Sequence, residues 1–298
     1  MSVRIEAFAK VNLGLSVLSR RADGFHDIDT LFQSIDLADS LLIERSDAGM
    51  RLSASGPAVP MDERNLIWRA ADAVRQETGC PAVSVDITKR IPVAAGLGGG
   101  SADAAGTLLG LRTLFELSLT DDDLNRLALG IGSDVPFMLR GGTARGRGRG
   151  EDLERWPDLR GFALVLVTPP VPVSAAEAYA SVRIGLTARA HFTKLNCSAI
   201  QEGDVRALVA ALRNDLEPGV VSCCPGVAAA RAALRRAGAL GVQMSGSGPT
   251  VFGLAESRED AEALAGAVRM AGDPGWAIHV AEPIDSGCRV EGAKERRS

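Results

Sequence analysis

Aromatic and sulfur chemistry are scarce in this chain. Aromatics make up 4% of its 298 residues, with one tyrosine, three histidines and five cysteines. Cys80, Cys197, Cys223, Cys224 and Cys288 form no C-x-x-C pair, and His26, His191 and His279 are scattered, which excludes a structural zinc site. The adjacent Cys223 and Cys224 before Pro225 are expected as small buried residues at a helix start. No apolar run approaches the roughly 18 residues that a membrane span needs, and Arg4 and Glu6 leave no apolar signal core, so a cytoplasmic protein is expected. Neither sign of charge dominates, the net charge being -4. Arg145, Arg147 and Arg149 alternate with glycines on an expected hairpin rather than massing beside aromatics, so nucleic acid is excluded as a partner. With 46% hydrophobic and 23% charged residues, the chain suits a globular enzyme of one large or two medium domains.

Glycine, in contrast, is plentiful, and it is densest in Pro92-Val93-Ala94-Ala95-Gly96-Leu97-Gly98-Gly99-Gly100-Ser101-Ala102. This run follows the alternating segment Val83 to Ile87 and leads into a leucine-bearing stretch, Thr107 to Phe115: strand, turn and helix start in order. Unpaired amides of a first helical turn point outward at the positive end of the helix dipole. Without β-carbons at Gly96, Gly98, Gly99 and Gly100 a phosphate can approach them closely. A phosphate-binding loop is therefore expected. It is not a Walker A loop, because Gly100-Ser101-Ala102 lacks the lysine, and G-x-G-x-G is not the G-x-G-x-x-G of dinucleotide enzymes. A plain tight turn is the alternative, disfavoured because each glycine costs conformational entropy with no ligand to offset it. A loop without its own lysine needs a cation from elsewhere in the chain for phosphoryl transfer.

The periodicity places the remaining elements. Ala7 to Leu18 alternates like a half-buried strand with Lys10 and Asn12 on one face, and Arg20 to Gly24 reads as a turn. Arg64 to Thr78 is an amphipathic helix ending near Gly79, Asp121 to Leu129 is another, and Gly132 to Phe137 is a turn that presents Asp134. The pattern restarts after Glu154 with the apolar strand Phe162 to Val167. A capping box at Ser174 to Glu177 then starts a short helix bearing Tyr179. Helices at Asp204 to Arg213 and Val227 to Ala237 precede strands at Val242 to Met244 and Thr250 to Leu254, which flank the turn Ser245 to Pro249. A helix capped by Ser257 and a strand at Ala277 to Ala281 follow, so the second half reads β-α-β-β-α-β. Domains are expected at 1–154 and 155–285, with a charged, disordered tail at 286–298.

Three separated motifs agree with one family. Pro92 to Gly98 (P-x-x-x-G-L-G), Ala9-Lys10-Val11-Asn12-Leu13 and Met244 to Pro249 (M-S-G-S-G-P) resemble the GHMP kinases, the superfamily of galactokinase, homoserine kinase and mevalonate kinase. Arg21-Ala22-Asp23-Gly24-Phe25-His26, Gly132 to Phe137 and Asn214-Asp215-Leu216-Glu217 resemble the branch whose acceptor is a cytidyl-diphosphate sugar alcohol. The likeness implies an α+β, two-domain fold with an N-terminal ATP-loop domain and a C-terminal ferredoxin-like domain. It also implies ATP and Mg²⁺ as cofactors, and phosphorylation of a tertiary 2-hydroxyl in non-mevalonate isoprenoid precursor synthesis. By the same likeness the ATP phosphates lie on Pro92 to Ala102, Lys10 and Asp134 are the catalytic pair, and Asn12 contacts substrate. The cytosine is held between Phe25 and Tyr179 and read by His26.

Elementary chemistry is compatible with these roles. A tertiary alcohol is a poor nucleophile; Asp134 could accept its proton while Lys10 stabilises charge on the oxygen or the transferring group. A lysine nearby also weakens a carboxylate as a base, so proton removal and mere orientation both stay open for Asp134. The chain departs from the family in having Ser101-Ala102 for a serine pair, and Phe25 where tyrosine is usual. Asp103, in the first helical turn, is expected to cap the helix rather than to hold Mg²⁺ through water. Competing functions are a homoserine- or mevalonate-type kinase, which would not need the Asp-Gly-Phe-His segment, and an ATP-binding protein without chemistry, in which Lys10 and Asp134 need not meet.

Overall fold

The computed structural model describes residues 1–182 and 204–294; His191 and Cys197 lie outside them. The first strand, β1 (Ser2–Arg20), turns at Arg21 to Phe25 and pairs antiparallel along its length with β2 (His26–Arg45). The turn is held by backbone bonds between Arg21 and Gly24 and between Arg21 and Phe25. Next come β3 (Arg51–Ser55), α1 (Leu66–Thr78) and β4 (Val83–Thr88). Asn65 caps α1 by accepting from the Ile67 amide, and Gly79 ends it at φ 68°, the left-handed conformation that glycine adopts freely. After the glycine loop, α2 (Gly99–Leu114) packs on β1, and α3 (Asp121–Ile131) begins with a full capping box between Thr120 and Asp123. The short α4 (Val135–Arg140) and the hairpin β5 (Thr143–Arg147) and β6 (Asp152–Arg155) complete the first half.

The second half opens with β7 (Ala163–Thr168) and continues through α5 (Ala175–Ala180), α6 (Val205–Ala211), β8 (Arg213–Asn214), α7 (Glu217–Cys223) and α8 (Pro225–Arg236). Strands β9 (Val242–Met244) and β10 (Val251–Ala255), helix α9 (Arg258–Ala271) and β11 (Ala277–Ala281) follow. These strands form a four-stranded sheet in the order β11-β7-β10-β9, antiparallel throughout. That is the β-α-β-β-α-β arrangement expected of the C-terminal half. Its strand β7 is buried at every position and apolar from Ala163 to Val167, because both faces are covered. Ala163, Val165 and Val167 pack with Ala230 and Leu234 of α8 and Ala265 of α9, while Leu164 and Leu166 join the first core.

Three expectations need correction. First, β1 is not half-buried: Ala7 to Val17 are all buried, including Lys10, Asn12 and Ser16. The strand lies inside the sheet between β2 and the last strand, β12 (Cys288–Lys294), and it runs through both cores. Residues up to Leu13 belong to the first core, whereas Leu15 and Val17 belong to the second. Second, the tail does not begin at 286. Strand β12 pairs with β1, setting Val290 opposite Ile5 and Arg289 opposite Glu6, and the Arg289 guanidinium bonds Glu6 at 3.1 Å. Cys-Arg-Val-Glu alternates as an edge strand does, and the surrounding charge hides that pattern in the sequence. The first sheet thus draws on both ends of the chain. Third, Cys223 is exposed and Cys224 half-buried, not packed away, because both fall where α7 gives way to α8 at the surface.

Candidate active site

The glycine run is half loop and half helix. Ala94, Gly96 and Gly98 have positive φ (52°, 77° and 71°), and α2 starts directly at Gly99. Gly98, at the cap position, has no side-chain acceptor, so the first-turn amides have no cap of their own. The glycines do different jobs. A β-carbon at Gly96 would lie 2.2 Å from the Ser245 carbonyl oxygen, and one at Gly98 would lie 2.1 Å from Met138 Cε. At those two the missing side chain serves backbone geometry and packing. At Gly100, which is exposed, the nearest atom would be Leu66 Cδ1 at 3.8 Å. There the missing side chain leaves the helix end open. Ala95, Leu97 and Ala102 turn into the core, while Val93 and Ala94 are exposed and Pro92 and Ser101 half-buried.

Lys10 lies along the floor of this loop. Its backbone amide donates to Leu97 O at 3.0 Å, its stem runs against Gly98, and its ammonium donates to Gly96 O at 3.2 Å and Asn12 Oδ1 at 2.6 Å. Asp134 Oδ2 is 3.7 Å from Lys10 Nζ. Burial draws the Lys10 pKa below its ordinary value, and the neighbouring Asp134 opposes that shift. Asp134 occupies the cap position of α4 without capping it, which leaves its carboxylate directed at the lysine. The Gly132 to Phe137 segment is therefore a turn running straight into a helix. Asn12 is buried, and both ends of its amide are engaged, Oδ1 by Lys10 and Nδ2 with Thr30 Oγ1 at 2.7 Å. It orients the lysine from the neighbouring position of the same strand face.

Beside the pair opens a cavity of about 750 Å³ lined by Arg20, Phe25, His26, Ser133, Arg149 and Tyr179, among others. Tyr179, delivered by α5, stacks on His26 with ring centroids 5.0 Å apart and planes at 19°. Phe25 stands apart, 54% exposed, with the Arg149 guanidinium 5.0 Å over its ring. The fold thus brings Phe25, His26 and Tyr179 to one cavity, but the two rings in contact are His26 and Tyr179. Burial, then Arg20, lowers the His26 pKa, so this imidazole is biased toward the neutral form, with one nitrogen donor and one acceptor. Burial, and next the charge of Asp134, raises the Tyr179 phenol.

Sequence reasoning misplaced one residue and missed several. Asp103 does not cap α2; the helix starts at Gly99, which leaves Asp103 beyond its first turn, buried and accepting from Lys89 Nζ at 2.7 Å. The late turn contributes Ser245, whose hydroxyl donates to Gly96 O at 2.9 Å and accepts from the Asn12 backbone N–H at 3.3 Å. Asn214 anchors the same turn through Met244 O and Gly246 O at 2.8 and 2.7 Å. Arg149 had no signal beyond a glycine-spaced arginine run. Among the described residues no group of three His, Cys, Asp or Glu side chains is placed to hold a metal, and no helix is long and apolar enough to cross a membrane.

Comparison with known proteins shows the family of the chain. The family model for the GHMP kinases N terminal domain matches residues 65–142, and that for GHMP kinases C terminal matches 198–273. The chain is 44% identical to a 4-diphosphocytidyl-2-C-methyl-D-erythritol kinase from Gloeobacter violaceus, covering 97% of each chain. It is 45% identical to one from Moorella thermoacetica, covering 88% of this chain and 93% of that one. A crystal structure of 4-(cytidine 5'-diphospho)-2C-methyl-D-erythritol kinase superimposes with a TM-score of 0.77 at 36% identity, over 94% of this chain and 99% of the other. A homoserine kinase from Cytophaga hutchinsonii gives 0.79 at 23% identity, over 97% of each, a likeness of fold alone.

Proposed function

The chain belongs to the GHMP kinases and, within them, to the 4-diphosphocytidyl-2-C-methyl-D-erythritol kinases, and from that membership we propose how its own residues carry the reaction. The reaction phosphorylates the 2-hydroxyl of 4-diphosphocytidyl-2-C-methyl-D-erythritol at the expense of ATP, in non-mevalonate isoprenoid precursor synthesis. The first-turn amides of α2, open beside Gly100, receive the ATP phosphates, where helix dipole and unpaired N–H groups favour negative charge. Lys10 supplies the cation that the loop lacks. Held by Asn12 and the Gly96 carbonyl, its ammonium is already oriented, so little reorganisation accompanies charge development on the transferring group. Asp134 receives or orients the acceptor hydroxyl. Asp134 and Ser101 present oxygen donors that would hold a Mg²⁺ arriving with ATP, and that ion would neutralise phosphate charge.

The observation that carries this reading is the 3.7 Å approach of Lys10 and Asp134 at the floor of the glycine loop. A protein that merely held ATP would have no use for it. The acceptor's cytosine goes to the cavity of Phe25, His26 and Tyr179, which adjoins Asp134 through Ser133. The segment Arg21 to His26, which supplies Phe25 and His26 to this cavity, is what a homoserine- or mevalonate-type kinase would not require. Offering the protein ATP, Mg²⁺ and a panel of acceptors tests the whole reading. Phosphorylation of the cytidyl-diphosphate acceptor alone is expected, and turnover of homoserine or mevalonate instead would overturn it.

A further inference from the structure

Three buried ionisable side chains meet away from the catalytic pair, beneath the first turn of α2. Asp39 of β2, Lys89 just after β4 and Asp103 of α2 are at most 6% exposed. Lys89 Nζ donates to Asp103 Oδ2 at 2.7 Å and also to Asp39 Oδ2. Asp39 Oδ1 accepts in turn from the backbone amides of Arg90 and Ile91, at 2.5 and 2.9 Å. Those are the last two amides before Pro92, where the chain leaves the sheet for the glycine loop. One carboxylate therefore grips the backbone at which the loop begins, and the other sits on the helix in which it ends. The ammonium joins them. Lys89 is fixed in place by its own amide, which donates to Ser55 O at 2.9 Å.

The two ends of the loop are also in contact. A β-carbon at Gly99 would fall 2.9 Å from Ile91 Cγ2 and 3.4 Å from Lys89 Nζ. Asp103 Oδ1 has no hydrogen-bond partner, so among the described residues Lys89 is the side chain that ties this carboxylate to the start of the loop. Two acidic groups against one ammonium in the interior are a poor way to gain stability, since desolvation of buried charge offsets most of the attraction. What such a cluster does supply is geometry, because each bond is directional and costly to leave unmade.

We propose that Lys89, clamped between Asp39 and Asp103, is a positioning residue that holds the start of the glycine loop against the first turn of α2 and so sets the shape of the ATP phosphate site. This rests on the assignment of that loop to ATP. The test measures ATP affinity by calorimetry, together with kcat and the KM of each substrate, in the full chain and in Lys89→Met, Asp103→Ala and Asp103→Asn. Lys89→Met and Asp103→Ala are expected to weaken ATP binding about tenfold or more, as small displacements of a binding group do, while acceptor KM stays within about twofold. Asp103→Asn, whose amide oxygen still accepts from Lys89, is expected to recover most of that loss. If Lys89→Met fails to fold, Asp103→Ala against Asp103→Asn decides. Unchanged ATP affinity in a folded Asp103→Ala protein, or equal loss toward both substrates, overturns the proposal while the kinase assignment stands. An unmodified protein that binds no ATP overturns both.

Discussion

The Tyr179 ring lies against His26, 5.0 Å between centroids, although one residue stands on a helix of the second half and the other opens the second strand of the first. The cavity they line is therefore a joint product of both halves, with Phe25 and Arg149 completing its rim. If cytosine stacks there, Phe25→Ala and Tyr179→Ala should each cost about 1 to 3 kcal/mol of acceptor binding, the range for a base on an aromatic face. His26→Ala should relax discrimination between cytidine and uridine acceptors. Separate titrations of acceptor and ATP check this, and variants that lose ATP affinity while keeping the acceptor would put the cytidine site elsewhere.

Asp134→Asn should fold normally, because the carboxylate makes no capping bond to α4, and should lower kcat by at least about 100-fold, the lower range for a lost base or electrostatic partner. Lys10→Met, which keeps the buried stem, should do the same with ATP affinity nearly intact. Steady-state kinetics on folded protein decide, and near-normal turnover by Asp134→Asn would remove the aspartate from the mechanism.

Substitutions along the glycine loop should separate binding from folding. Gly100→Val should fold and bind ATP poorly, since its side chain would project where, among the described residues, only Leu66 is near. Gly96→Val should instead lower the melting temperature, because φ is 77° and a β-carbon would meet the Ser245 carbonyl at 2.2 Å. Gly99→Val belongs with Gly96, for its β-carbon would press on Ile91. Thermal melts beside ATP titrations distinguish the groups, and a Gly100→Val protein with full ATP affinity would contradict the loop assignment.

Stability should carry a pH signature from Asp103. Burial, against the pull of Lys89 and with the push of Asp39, drives its pKa from 3.8 up to about 8. A carboxyl whose folded value is raised retains a proton that the unfolded chain has released, so its contribution to stability is full below 3.8 and is lost as pH rises toward about 8. The groups that face it are Asp39, Lys89 and Cys288; Lys89 is raised, its two carboxylates outweighing its burial, and burial followed by Asp103 raises the Cys288 thiol. Melting temperature plotted against pH should fall across this window more steeply for the parent than for Asp103→Asn. Parallel curves would refute the assignment.

Much of this architecture was legible in local sequence. The periodicity of Arg64 to Thr78 with Gly79 beyond it, the Ser257 cap, the apolar β7 and the glycine run all follow from rules acting within about a dozen residues, where side-chain spacing and backbone freedom dictate the element. Lys10 and Asp134 could be named from their motifs, since each motif is short and contiguous. The sequence alone does not say that Asn12 bonds Lys10, that Ser245 braces Gly96, or that Asp103 pairs with Lys89 instead of capping its helix. Each of those depends on which distant strand lies opposite, and a hydrogen bond between residues far apart in the chain leaves no local periodicity. Strand β12 shows the same limit. Its residues alternate weakly enough to pass for a tail, and only the open edge of β1 makes them a strand, by offering unpaired amides and carbonyls that water would otherwise have to satisfy.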